Sequence, residues 1–131
     1  MGFFKKRISS EERVLEEAFE KTMSGIREEM NDLQKAAVGY GINMANSALV
    51  SQYSSLDSFS QLPAEEAAEF ISKMGATWTR IINEGDGPTG MGFALFTFYL
   101  GAYGINGASR LTDKFEKELI PLSKMGDSLP S

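Results

Sequence analysis

Acid–base and metal chemistry have few side chains to draw on in this chain, because its 131 residues include no histidine and no cysteine. Histidine is the commonest general base near neutral pH and the commonest metal ligand, and cysteine is the thiolate nucleophile. Ser-His-Asp triads, Cys-His dyads, Glu-x-x-His di-iron sites and zinc hydrolase centres are therefore excluded. Three carboxylates remain at one helical turn's spacing, Glu65, Glu66 and Glu69. They have the spacing of an acid/base pair or a hard-cation site. They also follow Pro63, which marks a helix start, and glutamates in a first turn already complement the helix dipole in solvent. No cofactor is implied by any of these residues, and the sequence leans away from an enzyme.

A second pattern, Gly85-Asp86-Gly87-Pro88-Thr89-Gly90, fits the letters G-x-G-x-x-G. The pyrophosphate cradle with that spelling needs a preceding β-strand, and here the preceding segment reads as a helix. It is read as an interhelical turn.

The third pattern is an internal match. Tyr40-Gly41-Ile42-Asn43-Met44-Ala45 recurs as Tyr103-Gly104-Ile105-Asn106-Gly107-Ala108, each time on an uncharged, glycine-rich segment that follows a charged amphipathic helix. Gly41 with Ala45 and Gly104 with Ala108 place small residues four apart on one helical face, which allows backbones to approach closely. The expectation is that the two segments cross, with Gly41 and Gly104 at the contact and Asn43 and Asn106 bonding nearby. A sharper possibility has Tyr40, Asn43, Tyr103 and Asn106 lining a small polar pocket.

These residues must be positioned by helices. Leu15, Phe19, Met23, Ile26, Met30, Leu33 and Ala37 recur at spacings of three and four and predict one amphipathic helix with Glu and Lys on its other faces, opened by a Ser9/Glu12 capping box. From Ala36 to Leu56 charge disappears. Gly39 and Gly41 are read as a break followed by a second helix to about Tyr53, with 54–60 as a loop. A third helix starts at Pro63 with the stripe Ala67, Ile71, Met74, Trp78 and Ile81, and ends at Asn83–Pro88. A fourth runs from Thr89 through the uncharged stretch to Ser109 and on to a charged end before Pro121. Phe93, Phe96, Phe98 and Tyr99 cannot share one face, so this fourth helix must be buried on more than one side.

The fold expected is all-α, a four-helix bundle-like domain over residues 1–131, with two pseudo-repeated helical hairpins as its finer variant and with 1–8 and 122–131 as flexible tails. A formal net charge of -5 disfavours nucleic acid as a partner, since phosphate binding needs clustered Lys and Arg. The uncharged stretch of the fourth helix is diluted by glycine and polar residues, so membrane contact is disfavoured, and a cytoplasmic location is expected. A helix apolar around its girth suggests a homodimer, with Trp78, Phe93, Phe96 and Tyr99 as candidate interface aromatics. The functional expectation is a non-enzymatic interaction or self-association module, such as an acidic adaptor or an inhibitor or immunity-type partner. The alternative is a binding protein for a small apolar ligand or lipid.

Overall fold

The structure, a computed structural model, describes residues 10–106 and 110–128, with the backbone alone at 105 and 106. The fold is all-α. Among the described residues there are six helices rather than four: α1 (Ser10–Glu29), α2 (Asp32–Tyr53), α3 (Leu56–Ser60), α4 (Ala64–Asn83), α5 (Gly87–Asn106) and α6 (Arg110–Gly126). Ser9, and with it the expected first capping box, lies outside the described residues.

The helix boundaries correct the sequence reading at four places, each for a local reason. The first stripe does not run on to Ala37. Asn31 interrupts it as an extended N-cap whose side chain accepts from Gln34 N at 2.8 Å, while Gln34 Oε1 accepts from Asn31 N at 2.9 Å. Two backbone donors at the start of the new helix are satisfied reciprocally, so the chain turns at Asn31 and Leu33 is left 71% exposed. Second, α2 passes straight through Gly39 and Gly41 without a break. Third, the serine-rich stretch after Tyr53 forms the one-turn helix α3, capped by Ser55, whose Oγ accepts from Ser58 N at 3.1 Å. Fourth, the last helix of the expected four is two helices. Arg110 opens α6, which continues through Pro121 to Gly126 with Leu122 and Gly126 buried, so residues 122–126 belong to the packed structure.

Helix α5 sits at the centre and packs against α1, α2, α3, α4 and α6. Its run Phe93, Ala94, Leu95, Phe96, Thr97, Tyr99 and Leu100 is buried around the whole helix, and the Thr97 hydroxyl is satisfied by donating to Phe93 O at 2.8 Å. One chain thus covers its most apolar helix, and that helix makes no demand for a second copy. The Trp78 ring lies edge-on to Phe98, with centroids 5.5 Å apart, as part of the same core.

Close approach of backbones, rather than side-chain interdigitation alone, holds α2 in place. A Cβ added at Gly39 would lie 1.8 Å from Leu122 O, and one at Gly41 would lie 2.0 Å from Thr89 O. From the other side, a Cβ at Gly92 would lie 1.8 Å from Val38 O, and one at Gly126 would lie 2.4 Å from Tyr40 N. Residues two apart on a helix point to nearly opposite faces, so Gly39 admits α6 and Gly41 admits α5. Val38, Ile42, Ala45 and Leu49 turn a third face to the core, and Leu33, Tyr40 and Met44 turn the fourth to solvent.

Helices α1 and α6 are joined at the surface by charge. Glu16 accepts from Lys114 Nζ at 2.6 Å and from Arg110 Nη2 at 3.2 Å, and Lys114 also reaches Glu20 at 3.5 Å. The Lys114 ammonium first, then the Arg110 guanidinium, holds the Glu16 carboxyl below its ordinary value of 4.5 against an opposing effect of burial. A carboxylate with a depressed folded-state pKa adds stability above its ordinary range and loses it as pH falls through the folded value. Glu16→Gln is therefore expected to reduce stability at pH 7 by about 0.5–1 kcal/mol, because the pair is partly exposed, and to flatten the loss of stability below about pH 4.5. Urea titrations of both proteins at neutral and acid pH measure this, and parallel acid limbs would contradict it.

Candidate functional site

The Tyr-Gly-Ile-Asn segments occupy different stations in the fold, and the crossing expected between them does not form. Tyr40–Asn43 lies mid-way along α2, where Gly41 meets the first turn of α5. Tyr103–Asn106 is the last turn of α5, where a Cβ on Gly104 would approach only Ile71 Cδ1, at 4.0 Å. From Thr89 to Gly104 is fifteen residues of helix, roughly 22 Å. Gly41 is thus at a tight crossing with the fourth segment, but the backbone it meets there is that of Thr89 and Phe93. Ala45 is fully buried, Tyr40 is 43% exposed, and Tyr103 is half-buried with its ring edge-on to Tyr99, centroids 5.2 Å apart. The Asn106 side chain and Ala108 lie outside the described residues.

Asn43 does bond across a crossing, to α6. Its Nδ2 donates to Ser123 O at 3.1 Å and to Asp127 Oδ1 at 3.0 Å, and its Oδ1 accepts from Ser123 Oγ at 2.5 Å. Both amide hydrogens are consumed, so this asparagine is a clamp between helices with no donor left over.

Beside that clamp a pocket of about 230 Å³ opens between α2, α3, α5 and α6. Ile42, Leu56, Phe96 and Leu119 form its apolar wall, Ile120 and Asn46 stand exposed at its edge, and Tyr99 and Glu116 close one side. The Tyr99 hydroxyl donates to Glu116 Oε2. Burial first, and the Glu116 carboxylate second, push the Tyr99 phenol far above its ordinary pKa, which favours the protonated hydroxyl as donor. Of the residues singled out from sequence, the structure brings Asn43, Phe96 and Tyr99 to this pocket and leaves Tyr40 outside it. Phe93, Phe96 and Tyr99, candidate interface aromatics, are 3–5% exposed in the single chain and present no outer surface.

Glu116 carries no sequence signal. It sits in a run of charged residues that reads as solvated, and its partnership with Tyr99 depends on how α6 folds back on α5. The other motifs resolve as structure. Glu65, Glu66 and Glu69 are exposed, with Glu69 paired to Lys73 at 3.4 Å. Among the described residues no three carboxylates converge as a cation site would require. The glycine pattern at 85–90 is the turn at Gly85 and Asp86 followed by the first turn of α5. Gly85 takes a φ of 97°, Asp86 Oδ1 accepts from Thr89 N at 3.3 Å, and Ile82 fills the space where a Gly90 side chain would stand.

Comparison of the chain with protein-family models, with curated proteins and with solved structures finds no match. Among the described residues no helix is long and apolar enough to cross a membrane.

Proposed function

We propose that this chain is a non-enzymatic, cytoplasmic interaction module that associates with a second copy of itself through the exposed face of α2. The observation behind this reading is the pairing of exposure with absence of charge. Leu33, Tyr40 and Met44 are 71%, 43% and 36% exposed and fall on one stripe with Ala37, Ser47 and Ser51 at spacings of four and three. No Asp, Glu, Lys or Arg occurs from Ala36 to Leu56. A chain of net charge -5 repels its own copy over most of its surface, and an uncharged helical face is where two copies meet without that opposition. The face also has the seam-like spacing by which one helix packs on another.

A stripe along one helix is small for an interface, so association is expected to be weak. Light scattering or sedimentation over a dilution from about 1 mM to about 1 μM spans that range of affinity. The native chain is expected to pass from dimer to monomer within it. Tyr40→Glu combined with Met44→Glu, at exposed positions that leave the core untouched, is expected to give a monomer of unchanged helicity throughout. A native chain that is monomeric across the series, or a doubly substituted chain that still dimerises, overturns the reading.

A second reading is favoured by the pocket between α2, α3, α5 and α6: the chain binds a small, largely apolar ligand there. A volume of about 230 Å³ exceeds the 150 Å³ or so of an apolar cavity that accepts benzene. It is below the 300 Å³ or so at which pockets take larger ligands. A molecule of one ring with a short substituent matches it, and a long acyl chain does not.

A further inference from the structure

We propose that the ligand of this pocket is a small cationic amphiphile, a primary ammonium on an apolar body of about one ring, with the Glu116 carboxylate as its counter-charge. The inference rests on the second reading above, that the pocket is a binding site, and adds the charge of what it binds.

The lining discriminates between ligand classes. Ile42, Leu56, Phe96 and Leu119 offer apolar surface to a ring. The polar groups beside them are not equivalent. The Asn43 amide and the Ser123 hydroxyl bond to each other, and Asn43 also bonds to Asp127, so they satisfy polar groups across the helix crossing. Glu116 is different. Among the described residues no lysine or arginine pairs with it, whereas Glu118, two residues on, pairs with Arg27 at 3.1 Å and Glu16 pairs with both Arg110 and Lys114. What Glu116 has is a neutral donor, the Tyr99 hydroxyl, which fixes the carboxylate against the pocket wall while leaving its charge uncompensated. Glu116 is half-buried in the lining, so an occupant strips solvent from its carboxylate.

Each alternative occupant meets a specific penalty. A neutral hydrocarbon fills the apolar part but strips water from an unpaired carboxylate and returns nothing. An anion would face Glu116, with Asp127 near the Asn43 clamp, on a chain of net charge -5, and finds no cation in the lining. An ammonium supplies up to three donors and the missing charge at the point where the apolar wall ends. Glu116 and Tyr99 are then binding residues, Glu116 by ion pairing and Tyr99 by holding the carboxylate in register.

The test uses the full chain and three probes of one shape: benzylamine, benzyl alcohol and benzoate. Binding is followed by amide chemical-shift changes at Ile42, Phe96, Leu119 and Ile120. Benzylamine is expected to bind with a Kd on the order of 1 mM or tighter, about tenfold more tightly than benzyl alcohol, with benzoate silent. Glu116→Gln is expected to bring benzylamine down to the level of benzyl alcohol without changing the alcohol. Ile120→Trp, an exposed position at the pocket edge, is expected to abolish both. Equal binding of amine and alcohol to the native chain overturns the ammonium inference while leaving the pocket as a binding site. Absence of binding by every probe, or shifts that persist in Ile120→Trp, overturns both. If Glu116→Gln fails to fold, the comparison of probes on the native chain decides, supported by weaker amine binding as salt rises.

Discussion

Gly39→Ala is expected to destabilise the fold by about 3 kcal/mol or more, although it adds a single methyl group to a helix interior where alanine is intrinsically preferred. The added Cβ would stand 1.8 Å from Leu122 O and 2.7 Å from Gly126 N. Both are backbone atoms of α6, so no rotamer change relieves the clash, and α2 and α6 must separate along the crossing. That separation also strips Asn43 of its bonds to Ser123 and Asp127, leaving polar groups unpaired in a partly buried place. Gly92→Ala should behave similarly against Val38 O. The control lies in the same molecule. Gly25 in α1 and Gly75 in α4 have nothing within 4 Å of an added Cβ, and alanine there is expected to stabilise by up to about 1 kcal/mol each through helix propensity and a less flexible unfolded chain. Urea unfolding monitored by helicity gives all four values on one scale. Gly39→Ala equal to or above the native chain in stability would mean that the two helices have slack, and the close-approach account of α2 would be abandoned.

The glycines show which part of this fold is legible in a sequence. Their spacing announces close approach, and at Gly41 the approach occurs, but spacing on one helix is silent about which backbone arrives. Two identical Tyr-Gly-Ile-Asn segments invite the inference that they meet each other. The partners are instead Thr89, Gly92 and Phe93 on one side of α2 and Leu122 and Gly126 on the other, and none of these shares a motif with Gly41. Apolar periodicity serves well where burial is one-sided: Ala67 and Met74 in α4 and Phe19, Met23 and Ile26 in α1 are buried on the stripes their spacing defines. Periodicity is less informative about ends. The stripe from Leu15 to Ala37 is continuous in sequence, yet Asn31 and Gln34 cap a new helix inside it, because reciprocal side-chain bonds at one residue pair outweigh the continuity of an apolar pattern. Pro121 fails as a stop because α6 tolerates it at an exposed position while Leu122 beside it is buried. The pocket was only partly legible. Aromatic residues at 96 and 99 mark a segment rich in apolar surface, but the carboxylate that polarises the pocket comes from a run whose other charged members read as solvated, and only the packing of α6 against α5 selects Glu116.

Phe115→Ala is the other substitution of large expected effect, at about 3–5 kcal/mol, because the ring is fully buried and its loss leaves a cavity that a helix interface closes only in part. Its nearest aromatic partner is Phe19, stacked with centroids 3.8 Å apart and planes within 6°. This pair joins α6 to α1, and α1 packs mainly on α5 and, through this ring pair, on α6. The ion pairs of Glu16 with Arg110 and Lys114 span the same two helices at the surface, where solvent reduces their worth to a fraction of what burial of the Phe115 ring contributes. Two consequences separate a specific ring contact from general loss of core volume. Phe19→Ala and Phe115→Ala together should cost less than the sum of the single losses by about 0.5–1.5 kcal/mol, the coupling of an aromatic pair. Hydrogen exchange in Phe115→Ala should also quicken in α1 more than in α4, because α1 loses its buried aromatic contact with α6 while the α4–α5 hairpin keeps its own packing. Additive losses, or protection that falls evenly in α1 and α4, would show that the two rings merely fill space and that α1 is fastened elsewhere.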